Sequence, residues 1–216
     1  MNNILCIFAH PDDESFGPGG TIAKLALTND VYIICVTDGG AGHTKSVEDI
    51  VEVRKNELLA GAKILGVREV FFLGFKDGDL SNNLYHEVAS RIKAKVMELK
   101  PQTIITFEPR GISGHIDHIA TTFITNYVTQ KLDFVKKIMY HCISDTMRKL
   151  IPDYFIYFPE GYSEAEIDEV VDVSEVWDKK IEAIKAHVSQ KKDGDFLLNM
   201  ANKLPKKEYF LIASRG

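Results

Sequence analysis

Apolar, β-branched runs recur along the chain as NILCIFA (3–9), VYIICVT (31–37), EVFFL (69–73), TIITF (103–107) and KIMYHCI (137–143). Between them lie stretches whose apolar residues return with helical period, at 19–28, 47–65, 82–99 and 117–131. Short buried strands alternating with helices of ten or more residues predict βαβ units. The expected fold is therefore α/β, a Rossmann-like, doubly wound and mostly parallel sheet flanked by helices, with right-handed crossovers. After residue 150 the pattern loosens into an aromatic run (153–162), a strand-like EVVDV (169–173), a helix over 174–189 and a closing strand EYFLIAS (208–214). No linker or repeat interrupts this tail, so it is expected to complete the sheet and wall a pocket, and residues 1–216 are read as one domain. The aromatics Tyr154, Phe155, Tyr157, Phe158 and Tyr162 are assigned to the core, although such rings can also stack on a sugar.

In open sheets of this type ligands collect beyond the carboxyl ends of the strands. The unusual polar residues fall there: AHPDDE after the first strand, TDGGAG after the second, LGFKDGD after the third and EPRGISGHIDH after the fourth. A chain of 216 residues with net charge −5 and interspersed acids and bases has no basic stripe for nucleic acid or an anionic membrane, which leaves a small-molecule partner. The opening segment is too short in apolar residues for a secretory signal or membrane span, and a cytoplasmic protein is expected. Cys6, Cys35 and Cys142 each sit in an apolar run without CxxC spacing and are read as reduced core thiols.

His10 and Asp13, three apart at a strand end, form an imidazole and carboxylate pair that a borderline divalent ion accepts. Asp12, Asp13 and Glu14 could alternatively be acids favoured at a helix start. The second pair, His115 and His118 in GHIDH, shifts the balance towards metal, because two histidines and an acid with an open fourth position are the donor set of catalytic zinc. The spacing allows His10 and Asp13 with either His115 or His118. A bound ion of this kind lowers the pKa of water from about 15.7 to about 7. Asp12 is placed to accept the proton of that water, and the remaining histidine to donate to an oxyanion, so hydrolysis of an amide or ester is the expected reaction. GPGGT (16 residues after the start) lacks the spacing and the lysine of a phosphate loop, and its glycines are read as allowing close helix packing. Arg54 and Glu57, at i and i+3, read as an ordinary ion pair.

AHPDDE, GPGGTIAKL (17–25), RKNEL (54–58), LGVREVFFLGFKDG (65–78), PQTIITFEPRGISGHIDH (101–118) and KAHVSQ (185–190) together resemble the PIG-L or LmbE-like family of metal-dependent N-acetylglucosamine deacetylases. The resemblance implies that His10, Asp13 and His118 hold Zn2+, with Fe2+ accepted by the same donors, and that Asp12 is the general base. It further implies that His115 stabilises the oxyanion, that Asp117 tunes a neighbouring histidine, and that Arg54 contacts substrate. Arg110, beside the histidines, is a further candidate for an acidic aglycone. Ile116 and Gly40 depart from the proline and glutamate common in the family, which touches substrate contact rather than chemistry. The implied substrate is a soluble amino-sugar derivative: N-acetylglucosaminyl malate, free N-acetylglucosamine or a chitobiose type. A homo-oligomer is implied as well. An amidase on amino-sugar thiol conjugates and a non-catalytic metal- or sugar-binding protein are the competing expectations.

Overall fold

The computed structural model describes residues 2–42, 49–152, 157–201 and 203–214. Among these, seven strands form one sheet: β1 (Asn3–Phe8), β2 (Asp30–Thr37), β3 (Glu69–Phe75), β4 (Thr103–Phe107), β5 (Lys137–Cys142), β6 (Glu169–Asp172) and β7 (Lys207–Ser214). Their order is β3-β2-β1-β4-β5-β7-β6. The first five run parallel, β7 is antiparallel to β5, and β6 is antiparallel to β7. The helices are α1 (Asp13–Phe16), α2 (Gly19–Leu25), α3 (Ile50–Leu65), α4 (Tyr85–Leu99), α5 (Gly111–Gly114), α6 (Ile116–Thr129), α7 (Asp145–Arg148), α8 (Trp177–Ala186) and α9 (Lys191–Ala201). This is the expected fold class, with the tail completing the sheet through β6 and β7. No helix among the described residues is long and apolar enough to cross a membrane.

Alternation along the strands divides the core between the two faces of the sheet. Ile4, Cys6 and Phe8 of β1 pack with Ile22, Ala62, Leu65 and Ala183, under α2, α3 and α8. Leu5 and Ile7 point the other way, to Val88, Ile92, Val96, Ile124 and Val128 of α4 and α6. Both faces being covered explains why these strands read as continuous apolar runs; each fully buried aliphatic side chain contributes about 1.5–3 kcal/mol. Cys6, Cys35 and Cys142 are buried and free, in keeping with core thiols.

Several boundaries differ from the sequence expectation. The helix expected over 19–28 starts at Gly19 but ends at Leu25, and a short helix not expected from sequence, α1, precedes it across Gly17 and Pro18, with Asp13 and Glu14 of the opening motif inside it and Asp12 at its N-cap. The helix expected over 47–65 begins at Ile50, residues 47–48 lying outside the described ones. The helix expected over 174–189 is broken by His187 at φ −86, ψ 66, and α9 follows it. Phe158 is buried as expected, but Tyr157 is 68% exposed, so the aromatic run is not uniformly core; Tyr154 and Phe155 lie outside the described residues. The glycines of GPGGT do serve close packing: a Cβ on Gly20 would stand 2.7 Å from that of Val173.

The start of α2 depends on a side chain 188 residues away. Glu208 of β7 accepts the N–H groups of Gly20 (2.9 Å) and Thr21 (2.6 Å) and pairs with Lys180 of α8, all in the interior. Burial alone would raise this carboxyl, yet Lys180 and the neighbouring donors hold it below the usual glutamate range. Because its pKa is lower folded than unfolded, its stabilisation is complete above the unfolded value of about 4.3 and is lost as pH falls through the folded value. Glu208→Ala leaves the Lys180 ammonium buried without its counter-charge, and urea unfolding at pH 7 is expected to show a loss of about 3–5 kcal/mol. A loss within the 0.5–1.5 kcal/mol of one ordinary hydrogen bond would contradict this account.

Candidate active site

The chain lays down β1, β2 and β3 to one side, then returns to place β4 and β5 on the other side of β1. The loops after β1 and β4 therefore diverge from neighbouring strands, which opens a crevice at that point. A cleft of about 630 Å³ lies there, lined by His10, Asp12, Asp13, His115 and His118. Arg54 and Asp77 also line it, and α9 supplies Phe196 and Leu197 as apolar wall.

Each strand end is fastened where its ladder stops. Thr37 donates from both N and Oγ1 to Ala9 O, 2.8 Å each, which fixes the residue before His10. Thr122 Oγ1 donates to Phe107 O (3.0 Å), tying α6 to the end of β4. The ring of His118 then lies flat on Phe107, centroids 4.0 Å apart. Between them the loop 108–115 is organised by the buried Glu108, which accepts from Arg110 N (2.9 Å), Ile112 N (2.8 Å) and Tyr162 Oη (2.7 Å). Ile112 is held there at φ 63, ψ −66, a strained conformation for a β-branched residue.

The ring nitrogens can be assigned from their partners. His118 Nδ1 lies 3.1 Å from Gly111 O, which only accepts, so Nδ1 carries the hydrogen and Nε2 presents a lone pair. His10 Nε2 lies 3.1 Å from Asp77 Oδ1 and 3.3 Å from Asp117 Oδ2, so Nε2 is the donor and Nδ1 presents its lone pair. Those two lone pairs face each other across 3.1 Å. Asp13 closes the triangle, Oδ1 3.3 Å from His118 Nε2 and Oδ2 3.6 Å from His10 Nδ1, with Oδ2 also accepting His10 N (2.7 Å). Three acceptors converging on one point call for positive charge between them, a shared proton or a metal ion, and the donor set suits a divalent ion. The carboxylates behind His10 are the outer support such a ligand ordinarily has.

The charges agree with that geometry. Burial opposes ionisation of Asp13, but His118 and His10 hold its carboxyl well below the usual range. Burial also opposes a charged His10, yet Asp117, Asp13 and Asp77 raise it well above the ordinary histidine value, so without an ion Nδ1 keeps a proton directed at His118 Nε2, the proton a bound ion would displace. His115 is lowered to about 4 by burial and by the two neighbouring histidines, so it is neutral. Its Nδ1 accepts Asp117 N (3.1 Å), which places the ring hydrogen on Nε2. Asp12 is pushed up to about 7 by burial, against the pull of Arg54, whose Nη2 lies 2.9 Å from its Oδ2. Asp12 has φ 123, a region that favours glycine.

Among the described residues, two groups of close metal-capable residues share His10: one with His115 and His118, the other with Asp77 and Asp117. The second faces His10 Nε2, whose hydrogen bonds are already accounted for, so of the two groups the one on the Nδ1 side has donors left to offer an ion. Asp77 was not singled out from sequence, although it lies in the LGFKDGD loop. Its Oδ2 accepts Ala41 N (3.1 Å) and Asp117 Oδ2 accepts Gly78 N (2.8 Å), so the loops after β2 and β3 join behind His10. Arg54 is 3% exposed and donates to Gly39 O (2.6 Å), Pro11 O (2.7 Å) and Asp12. It does not pair with Glu57 as an i, i+3 reading expects; Glu57 instead accepts Ser189 N (2.7 Å) and Oγ (2.6 Å). Arg110 is not among the residues lining the cleft: its guanidinium stacks 4.0 Å over Tyr162 and bonds Glu108.

Comparison with known proteins follows the same lines. The chain is 32% identical over 196 residues to a probable N-acetyl-alpha-D-glucosaminyl L-malate deacetylase 2 of Bacillus cereus, covering 87% of this chain and 83% of that one. Its fold matches N,N'-diacetylchitobiose deacetylase from Pyrococcus horikoshii with a TM-score of 0.76 at 23% identity, over 99% of this chain and 84% of that one. GalB, the 4-carboxy-2-hydroxymuconate hydratase of Pseudomonas putida KT2440, matches equally well in shape, TM-score 0.77 at 16% identity over 100% and 98% of the two chains, so fold alone does not select the reaction. The model of the PIG-L family, GlcNAc-PI de-N-acetylase, matches residues 5–129, a span that holds every residue converging on His10, and the chain belongs to that family.

Proposed function

We propose that this protein is a metal-dependent N-deacetylase that hydrolyses the acetamide of an N-acetylglucosamine derivative. The observation that carries the reading is the pair of opposed lone pairs, His10 Nδ1 and His118 Nε2 at 3.1 Å, closed by Asp13. These three residues would hold the ion, with zinc the proposed metal and ferrous iron accepting the same donors. The ion, when bound, polarises the amide carbonyl and acidifies water. Asp12, beside the ligands in the same cleft, takes the proton of the attacking water. His115, neutral and with its hydrogen on Nε2, donates to the oxygen that becomes negative as the carbonyl is attacked. Asp117 and Asp77 fix the His10 tautomer. Protonation of the departing nitrogen releases acetate and the free amino sugar.

An apolar stripe of α6, with Ile116 66%, Phe123 66% and Tyr127 58% exposed, supports the homo-oligomeric reading. The proposed location is the cytoplasm, in line with a small soluble substrate.

The test is a panel of N-acetylglucosaminyl malate, N,N'-diacetylchitobiose, free N-acetylglucosamine and an amino-sugar thiol conjugate, with acetate or acyl release measured on the metal-loaded protein. Acetate release from at least one N-acetyl sugar is expected. Stoichiometric metal with no turnover of any of them would favour a binding protein, and preference for the thiol conjugate an amidase.

A further inference from the structure

We infer that His187, on the turn after α8, is a positioning residue for Asp12, acting through Glu14. This rests on the proposed role of Asp12 as base. Asp12 sits at φ 123, a conformation that side-chain-bearing residues keep only when their surroundings over-determine it. Two arms do so. Arg54 binds the Asp12 carboxylate and the preceding carbonyl of Pro11. Glu14 Oε2 accepts the Asp12 backbone N–H at 3.1 Å, and so controls the peptide rather than the side chain.

Glu14 is itself held. It is 1% exposed, and its Oε1 accepts from His187 Nε2 at 2.8 Å and from Ser15 Oγ at 2.5 Å. His187 is also 1% exposed, with its ring packed edge-on to Phe16 at 5.6 Å between centroids. Its backbone leaves the helical region, which turns the ring inward instead of letting α8 continue. The following residues anchor that turn: Ser189 to Glu57 of α3, and Gln190 Nε2 to Gly42 O at 3.3 Å. His187, Ser189 and Gln190 each have a partner outside α8, although the buried His187 Nδ1 has none.

The face of α3 that meets this arrangement carries Arg54, Glu57 and Gly61, spaced by three and four residues. Gly61 stands inside a helix, where glycine costs about 1 kcal/mol relative to alanine. A Cβ there would lie 3.0 Å from Ser15 Oγ and 3.2 Å from both Glu14 Oε1 and His187 Nε2. The glycine makes room for the triangle that restrains Asp12.

The test compares His187→Phe, which keeps a ring and removes the donor, with His187→Gln, whose amide can still donate to Glu14. Full-length, metal-loaded protein is used, with kcat, KM, metal stoichiometry, thermal unfolding and a crystal structure of each variant. For His187→Phe, kcat is expected to fall about tenfold to a hundredfold, as for a small misplacement of a reacting group. KM and metal content should stay as in the wild type, and the Asp12 φ should relax to a negative value. His187→Gln should recover most of the kcat. Unchanged kcat with Asp12 still at positive φ in His187→Phe would overturn the proposal, as would equal loss of metal and activity in both variants. If His187→Phe does not fold, Gly61→Ala presses on the same triangle while favouring the helix. A kcat loss without a stability loss is then expected, and unchanged kcat and Asp12 backbone would overturn the inference. The Asp12 backbone angle reads the restraint directly, so a wild type that releases no acetate would refute the deacetylase reading and still leave this one tested.

Discussion

Asp12→Asn is expected to lower kcat by about 10²–10⁴-fold, the range for loss of a positioned proton acceptor. Asparagine keeps the volume and, through its Oδ1, the bond that Arg54 Nη2 makes to Asp12, so the loop between β1 and α1 is retained. The peptide restraint from Glu14 does not involve the side chain at all. What disappears is basicity. With Asp12 pushed up to about 7 by burial, its proton affinity lies in the range where a base works best near neutral pH. The measurement is acetate release with metal analysis on the same sample. Metal content equal to wild type with kcat within a factor of five would remove Asp12 from the mechanism.

The second large effect separates the two histidines of GHIDH. His118→Ala is expected to weaken metal affinity by more than the 10–100-fold typical of losing an outer support, and to bring activity to background. His118 Nε2 faces both His10 Nδ1 and Asp13. His115→Ala should retain the metal and lose turnover, because His115 Nδ1 is committed to the Asp117 amide. Competition with a chelator, followed by metal quantification, distinguishes the cases. Metal retained by His118→Ala and lost by His115→Ala would reverse the assignment and favour the group made by His10, His115 and His118 through its other member.

The parallel strands and the residues at their carboxyl ends were legible because both follow local rules. Continuous apolar runs mark strands covered on two faces, and His10, Asp13 and His118 sit in the loops or first helical turns that follow strands, which such a sheet must bring to one rim. The supports were not legible in the same way. Glu14 and His187 are 173 residues apart, and nothing local announces that they meet. The expected i, i+3 pair of Arg54 and Glu57 gave way to separate tertiary partners, Asp12 and Ser189, a preference that propensity does not contain. α9 escaped because its apolar residues, Phe196, Leu197, Leu198, Met200 and Ala201, are crowded into its second half and follow a glycine within the helix. Tyr157 read as core by composition, yet its neighbours in the fold leave it in solvent.

The backbone of Asp12 sets stability against turnover at a single residue. A glycine there would adopt φ 123 without strain, and the fold would be relieved of a local cost of order 1–3 kcal/mol. It would also delete the proposed base. Drift towards a more stable chain and retention of its chemistry therefore pull this position in opposite directions, and an aspartate in a glycine's conformation records which of the two prevailed.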